Sequence, residues 1–243
     1  MSSPGGGSAD AFAEIARSLL AERDVQHTLQ KICDLAVATI DGCDHAGISF
    51  LRGKKVDTPA ASDDVPRQVD LIQYEVGEGP CLDAIRDHEV FQTGALGHER
   101  RWPHFAARAQ RETGITSMLC FRLFVAGDTL GALNLQSKTA NAFGEDSRKV
   151  GLVFAAHAAV ALSNAIHDEQ MEEALLSRDL IGQAKGILMV REGVNAEKAF
   201  DMLRRASQRL NIKLRDVAGG VVERSGPPHS TSPAGDEGPQ GHA

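Results

Sequence analysis

Between residues 178 and 222 the apolar side chains recur at helical spacing in three short runs joined by two tight links, and few folds can bury such a pattern. Ile181, Ala184, Ile187 and Leu188 form the first stripe. Ala199, Leu203, Ala206 and Leu210, at i, i+4, i+7 and i+11 and widened by Phe200, form the second. Leu214, Val217, Ala218, Val221 and Val222 form the third. Gly193 reads as a helix stop and Asn195 as the N-cap of the next helix. None of the three helices can hide its stripe alone, so a small three-helix bundle is expected.

A second stripe lies outside that core. Arg178, Gly182, Lys185 and Met189 fall at i, i+4, i+7 and i+11. Gly182 and Gly186 each cost a helix about 1 kcal/mol relative to Ala, so both call for a reason: close packing against a neighbouring helix, or close approach of another molecule's backbone. Residues 178–224 carry ten Lys or Arg against six Asp or Glu, a net +4, which leaves about −11 on the remainder of a chain whose total is −7. A polyanion responds to the local patch rather than to the total.

Upstream, helical spacing runs from 145 to 192. The first half has a wide apolar face (Val150, Val153, Phe154, Ala158, Ala161, Leu162) suited to packing on a sheet, while residues 167–173 have almost nothing to bury. A polar helix between two apolar ones reads as a connector, which puts a domain boundary near 170. Residues 1–8 and 225–243, rich in Gly, Ser and Pro, read as disordered tails. The remaining stretch alternates: helices over 9–40 broken at Asp24, strands over 45–51 and 55–60, helices over 65–74 and 81–87, a strand over 89–93, a helix over 104–113, and two strands, 117–125 and 129–135, around the turn Ala126-Gly127-Asp128.

Two family resemblances enter here. Ile181-Gly-Gln-Ala-Lys-Gly-Ile-Leu-Met189, followed by Ala199-Phe200, Leu203-Arg204, Asn211, Lys213-Leu214 and Val217-Ala218, resembles the ANTAR domain, a family of bacterial RNA-binding antiterminators. That resemblance implies that the module recognises tandem stem-loops in a leader transcript and prevents a terminator from forming, with Arg178, Gln183, Lys185, Gly186, Arg204, Arg205, Lys213 and Arg215 as the RNA-contacting set. The module has no Trp or Tyr and Phe200 reads as core, so base stacking is not expected of it. Tyr74-Glu-Val-Gly-Glu-Gly-Pro-Cys-Leu-Asp-Ala84 and Gly131-Ala-Leu-Asn-Leu135, in this order of elements, are similar to a GAF domain, which implies an antiparallel sheet with helices on one face and a small-molecule pocket on the other.

The expected fold class is α+β: a GAF-like sensor at 9–168 with flanking helices, then an all-α three-helix ANTAR module at 169–224, joined through the 145–192 helix. The expected function is transcription antitermination by RNA binding, controlled through the sensor by an unidentified small molecule or partner. No receiver segment carrying a phosphorylated Asp is visible, which favours ligand control over phosphorylation. Because the family's targets are paired hairpins, a homodimer through 145–180 is expected. The alternative from a different class is a ligand- or redox-sensing adaptor that docks a protein partner. No metal or cofactor is identified: Cys33, Cys43, Cys81 and Cys120 show no C-x-x-C spacing, and His45, His88, His98 and His104 no ligand spacing. Cys81 reads as a small packing residue, although a helix N-terminus can activate a thiol. No nucleophile, phosphate-loop or metalloprotease motif is present, so no enzyme is expected. No signal peptide and no apolar run of roughly 18–20 residues is apparent, so a cytoplasmic protein without membrane contact is expected.

Overall fold

The computed structural model describes residues 6–53, 55–87 and 90–225. The chain divides into two compact units, one through Gln170 and one from Met171.

The first unit opens with helices α1 (Gly6–Leu20) and α2 (Val25–Thr39). Helix α1 begins at Gly6, inside the stretch expected as tail. The Asp24 carboxylate caps α2 by accepting from His27 N at 2.7 Å, and Leu29, Ile32, Cys33 and Ala36 bury one face of it. Strands β1 (His45–Arg52) and β2 (Lys55–Ala61) precede α3 (Asp64–Val76), α4 (Pro80–Asp87), β3 (Phe91–Thr93), a short 3-10 turn at Leu96–His98 and α5 (Pro103–Thr113). Then come β4 (Ser117–Val125), β5 (Asp128–Ser137) and α6 (Glu145–Glu192). Strand β3 is shorter than its apolar run suggested, and His88 and Glu89, which precede it, lie outside the described residues. The 3-10 turn has no signature in the apolar pattern.

The sheet has the order β2-β1-β5-β4-β3, with every pair antiparallel. The β4–β5 turn places Ala126 and Gly127 at φ 51° and 95°. Two successive positive φ values make the primed turn that matches the right-handed twist of a hairpin. Successive side chains on a strand point to opposite faces, and the two faces of this sheet are built differently. Leu119, Phe121 and Leu123 on β4 and Leu133 and Leu135 on β5 meet the α2 and α6 side chains Ile32, Phe154 and Leu162 in the larger core. Gly151 lets α6 settle on this face, since a Cβ there would come 2.4 Å from Phe121 Cζ. Met118, Cys120 and Ala132 face the other way, against Val69, Ile72, Trp102 and Phe105. Helices therefore cover both faces of the sheet rather than the single face expected, because α3, α4 and α5 carry apolar stripes of their own.

The second unit holds residues 171–192 of α6, then α7 (Ala196–Leu210) and α8 (Leu214–Glu223). Gly193, at φ 64°, ends α6. Asn195 caps α7 by accepting from Lys198 N at 2.9 Å. The core is Ala184, Leu188, Ala199, Leu203, Val217 and Ala218. Phe200, expected inside, is 39% exposed, and Leu210 is 55% exposed. Three of the six core residues are alanines, so the helices close tightly, and a ring one residue along from Ala199 is turned out of the interior.

One 18-residue window of α6 reaches a mean hydropathy of 1.5, enough by length and composition to cross a bilayer. This qualifies the expectation that no stretch would, since apolar residues interspersed with a few polar ones still average that high. Phe154, Ala158, Ala161, Leu162 and Ala165 in α6 are buried in the sensor core.

Candidate nucleic-acid interface

The basic stripe stands on the outer side of α6. Arg178, Gly182, Gln183 and Gly186 are exposed, and Lys185 is half-buried. A Cβ built on Gly182 or Gly186 meets nothing within 4 Å, whereas one on Gly219 meets Leu180 Cδ2 at 3.6 Å. The packing explanation for Gly182 and Gly186 is therefore not met among the described residues. They leave a shallow, side-chain-free strip between Arg178, Lys185 and Gln183 where another molecule's backbone can approach closely.

The remaining cations differ in how committed they are. Arg204 is exposed and donates to Asp201 Oδ1 at 2.8 Å. Arg215 is half-buried, paired with Glu173 and 3.6 Å from Asp216, so its charge is largely answered within the module. Arg178, Lys185, Arg205 and Lys213 have no ion pair among the described residues. Lys213 holds the N-cap position of α8 without a side-chain cap bond, which leaves its ammonium in solvent.

The sensor unit contains a polar centre that reading the sequence missed. Asp70, on the inner face of α3, is fully buried. Ser49 Oγ and Thr58 Oγ1 donate to its Oδ2 at 2.9 and 2.8 Å, and Gln73 Nε2 and Asn134 Nδ2 donate to its Oδ1 at 2.9 and 3.1 Å. Burial pushes the carboxyl up to about 6, and those hydrogen bonds, led by Ser49, offset part of the rise. Tyr74 Oη lies 3.0 Å from Thr58 Oγ1, and burial raises its phenol. Asn134 Oδ1 and both amide atoms of Gln136 are buried without a partner among the described residues. The one visible signal was a polar residue at inward positions of apolar strands: Ser49 between Ile48 and Phe50, and Asn134 between Leu133 and Leu135.

Cys81 belongs to this centre. Its Sγ donates to Ser49 Oγ at 2.8 Å and its N–H donates to Gln73 Oε1 at 2.9 Å. Although it sits in the first turn of α4, burial holds the thiol far above its ordinary value, with the Asp70 charge adding to the rise. Cys33 and Cys120 are likewise raised by burial, and Cys43 is pushed up to about 12. All four thiols are buried and free, which argues against the redox arm of the adaptor reading. His45, read as an ordinary residue, has Nδ1 2.6 Å from Asp63 Oδ2.

An antiparallel sheet with helices on both faces, whose last helix continues into a basic three-helix module, is the arrangement of a signal-controlled regulator. The GAF domain family matches residues 22–163 and the ANTAR domain family residues 169–222; the chain belongs to the GAF family and carries an ANTAR domain after it. The pair makes it a regulator of transcription antitermination with an RNA-binding module and a signal-sensing domain. Among solved structures, the GAF domain of a phosphoenolpyruvate-protein phosphotransferase from Coxiella burnetii is similar at 15% identity and TM-score 0.55, over 69% of this chain and 99% of that one. The reduced form of fRMsr from Staphylococcus aureus is similar at 12% identity and TM-score 0.52, over 67% and 99%. A putative GAF sensor protein from Burkholderia vietnamiensis is similar at 14% identity and TM-score 0.50, over 69% and 97%. At these identities the likeness concerns the fold. No curated protein matches the chain.

Proposed function

We propose that the module, taken as residues 169–224, binds tandem stem-loops in a nascent leader transcript and blocks a terminator, and that a small molecule or partner acting on the sensor, residues 9–168, sets whether it does so. The observation that carries this is the bare strip at Gly182 and Gly186 flanked by Arg178, Gln183 and Lys185. Two helix-weakening glycines with nothing packed on them gain a purpose when a phosphate backbone lies there, and unpaired cations beside them supply the sequence-independent attraction. Arg204, Arg205 and Lys213 extend the set. Arg215, already paired, contributes least. RNA stem-loops are read at unstacked bases, for which Gln183 and Arg204 provide donors.

Paired hairpins call for paired modules, so the active form in this reading is a homodimer formed through 145–180. Val153, Val160, Met171 and Leu175 offer exposed apolar surface along that stretch. The reading is of a cytoplasmic protein with no membrane contact and no catalytic step, the apolar residues of α6 being divided between the sensor core and the dimer face.

Gel shifts with tandem stem-loop RNA across a salt series test it. Affinity falls as salt rises, and Lys185→Ala with Arg204→Ala weakens binding by at least tenfold, the equivalent of about 1.4 kcal/mol. Normal binding by that double variant would refute the site, and no binding of any such RNA by the wild-type chain would refute the function.

A further inference from the structure

On the sheet face packed by α2 and α6, away from the Asp70 centre, the sensor unit holds a cleft of about 470 Å³. Val25 from the first turn of α2, Phe50 from β1, Leu130 from β5 and Ile166 from α6 give it an apolar floor, and polar side chains supply the rest of the lining. Small-molecule sites are of this size, roughly 300–1,000 Å³. The rim decides the charge of an occupant. Arg52 lies 5.2 Å above the Phe50 ring and 3.5 Å from Asp57, so its cation is already answered. Gln26 donates to Pro59 O at 3.0 Å, and Thr129 accepts from Arg122. Asp24 uses one carboxylate oxygen as the α2 cap. Glu169 is exposed and has no hydrogen bond or ion pair among the described residues. Two carboxylates, one of them wholly uncommitted, thus stand over the apolar floor; the one guanidinium in the lining, Arg52, is paired with Asp57, and Arg122, outside the lining, is held on Thr129.

We infer that this cleft is a binding site for a small organic cation, an amine or guanidine carrying an aromatic or aliphatic body, which lays that body on Phe50, Leu130 and Ile166 and sets its charge against Glu169 and Asp24. The site is separate from the buried polar centre on the other face of the sheet. It is made partly of the last turn of α6 before Met171, where the second unit begins, so its occupant touches the same helix that carries Lys185. The inference does not depend on RNA binding.

The test uses two probes of like shape and opposite charge, phenethylamine and 3-phenylpropionate, titrated into the full chain with methyl NMR of Val25, Leu130 and Ile166. Phenethylamine shifts these methyls saturably and 3-phenylpropionate does not. Glu169→Gln, an exposed change that leaves the fold intact, weakens phenethylamine about threefold, as expected for a partly exposed ion pair. Leu130→Trp, which fills the cleft, abolishes the shifts. Equal binding of both probes, an unchanged affinity in Glu169→Gln, or no methyl shift with phenethylamine at tens of millimolar would overturn the assignment.

Discussion

Asp70→Asn converts the buried polar centre of the sensor into a pH measurement. In an unfolded chain the carboxyl titrates near 3.8, and in the fold burial carries it to about 6. The native state therefore holds the proton more tightly than the unfolded state, and stability falls as pH rises through that window. Below about pH 3 both states are protonated and nothing is lost. Above pH 6 the native fold bears a buried carboxylate, at a cost of about 3 kcal/mol on the scale of 1.36 kcal/mol for each tenfold change in proton affinity. Asparagine keeps the shape and cannot ionise. Its Oδ1 still accepts from Gln73 and Asn134, and the Thr58 hydroxyl, which now donates, rotates to accept from the new amide; Ser49 Oγ, already accepting from Cys81 and Asn134, loses its acceptor, a cost that is the same at every pH and leaves the pH dependence unchanged. The stability of the variant relative to wild type is thus expected to rise by about 3 kcal/mol between pH 3 and pH 7. Urea unfolding read by Trp102 measures it, because this is the single Trp of the chain and lies buried in the same unit. Glu99, which its bond with Arg101 holds down at about 2, contributes in the opposite sense but equally in both proteins, and cancels in the difference. A difference that stays flat across pH 3–7 would refute an ionisable, desolvated Asp70.

Leu203→Ala removes a side chain only 1% exposed at the centre of the RNA-binding module and should cost it about 3 kcal/mol, seen as faster amide exchange throughout α7 and α8. Slow, unchanged exchange would contradict the packing described. None of the four cysteines should react with a disulfide reagent at pH 8 in the native chain, and all four should react in urea. Rapid native labelling of Cys81 would restore the redox-sensing alternative.

What could be read from the residues in order, and what could not, divides by the distance along the chain over which the controlling contacts act. Asp24 and Asn195 begin their helices through bonds to N–H groups three residues on, Gly193 ends its helix by its own positive φ, and the three amphipathic stripes of 178–222 state their inner faces at a fixed angular period. Depth is not in that period. Phe200 stands about 100° round the helix from Ala199, at the edge of the stripe, and only the tight closure around Ala184, Ala199 and Ala218 decides that the ring stays outside. Gly182 and Gly186 posed the same question in reverse: sequence made them costly, but only the surroundings could choose between a packed neighbour and a bare strip. The Asp70 centre is the extreme case. Ser49 and Asn134 come together because β1 and β5 pair across a separation of 85 positions, and α3 returns over that pair to lower an acid between them. No local pattern encodes the meeting. Its parts looked like isolated polar residues in apolar strands, the kind of local inconsistency that marks a place where long-range contacts, not propensity, set the residue.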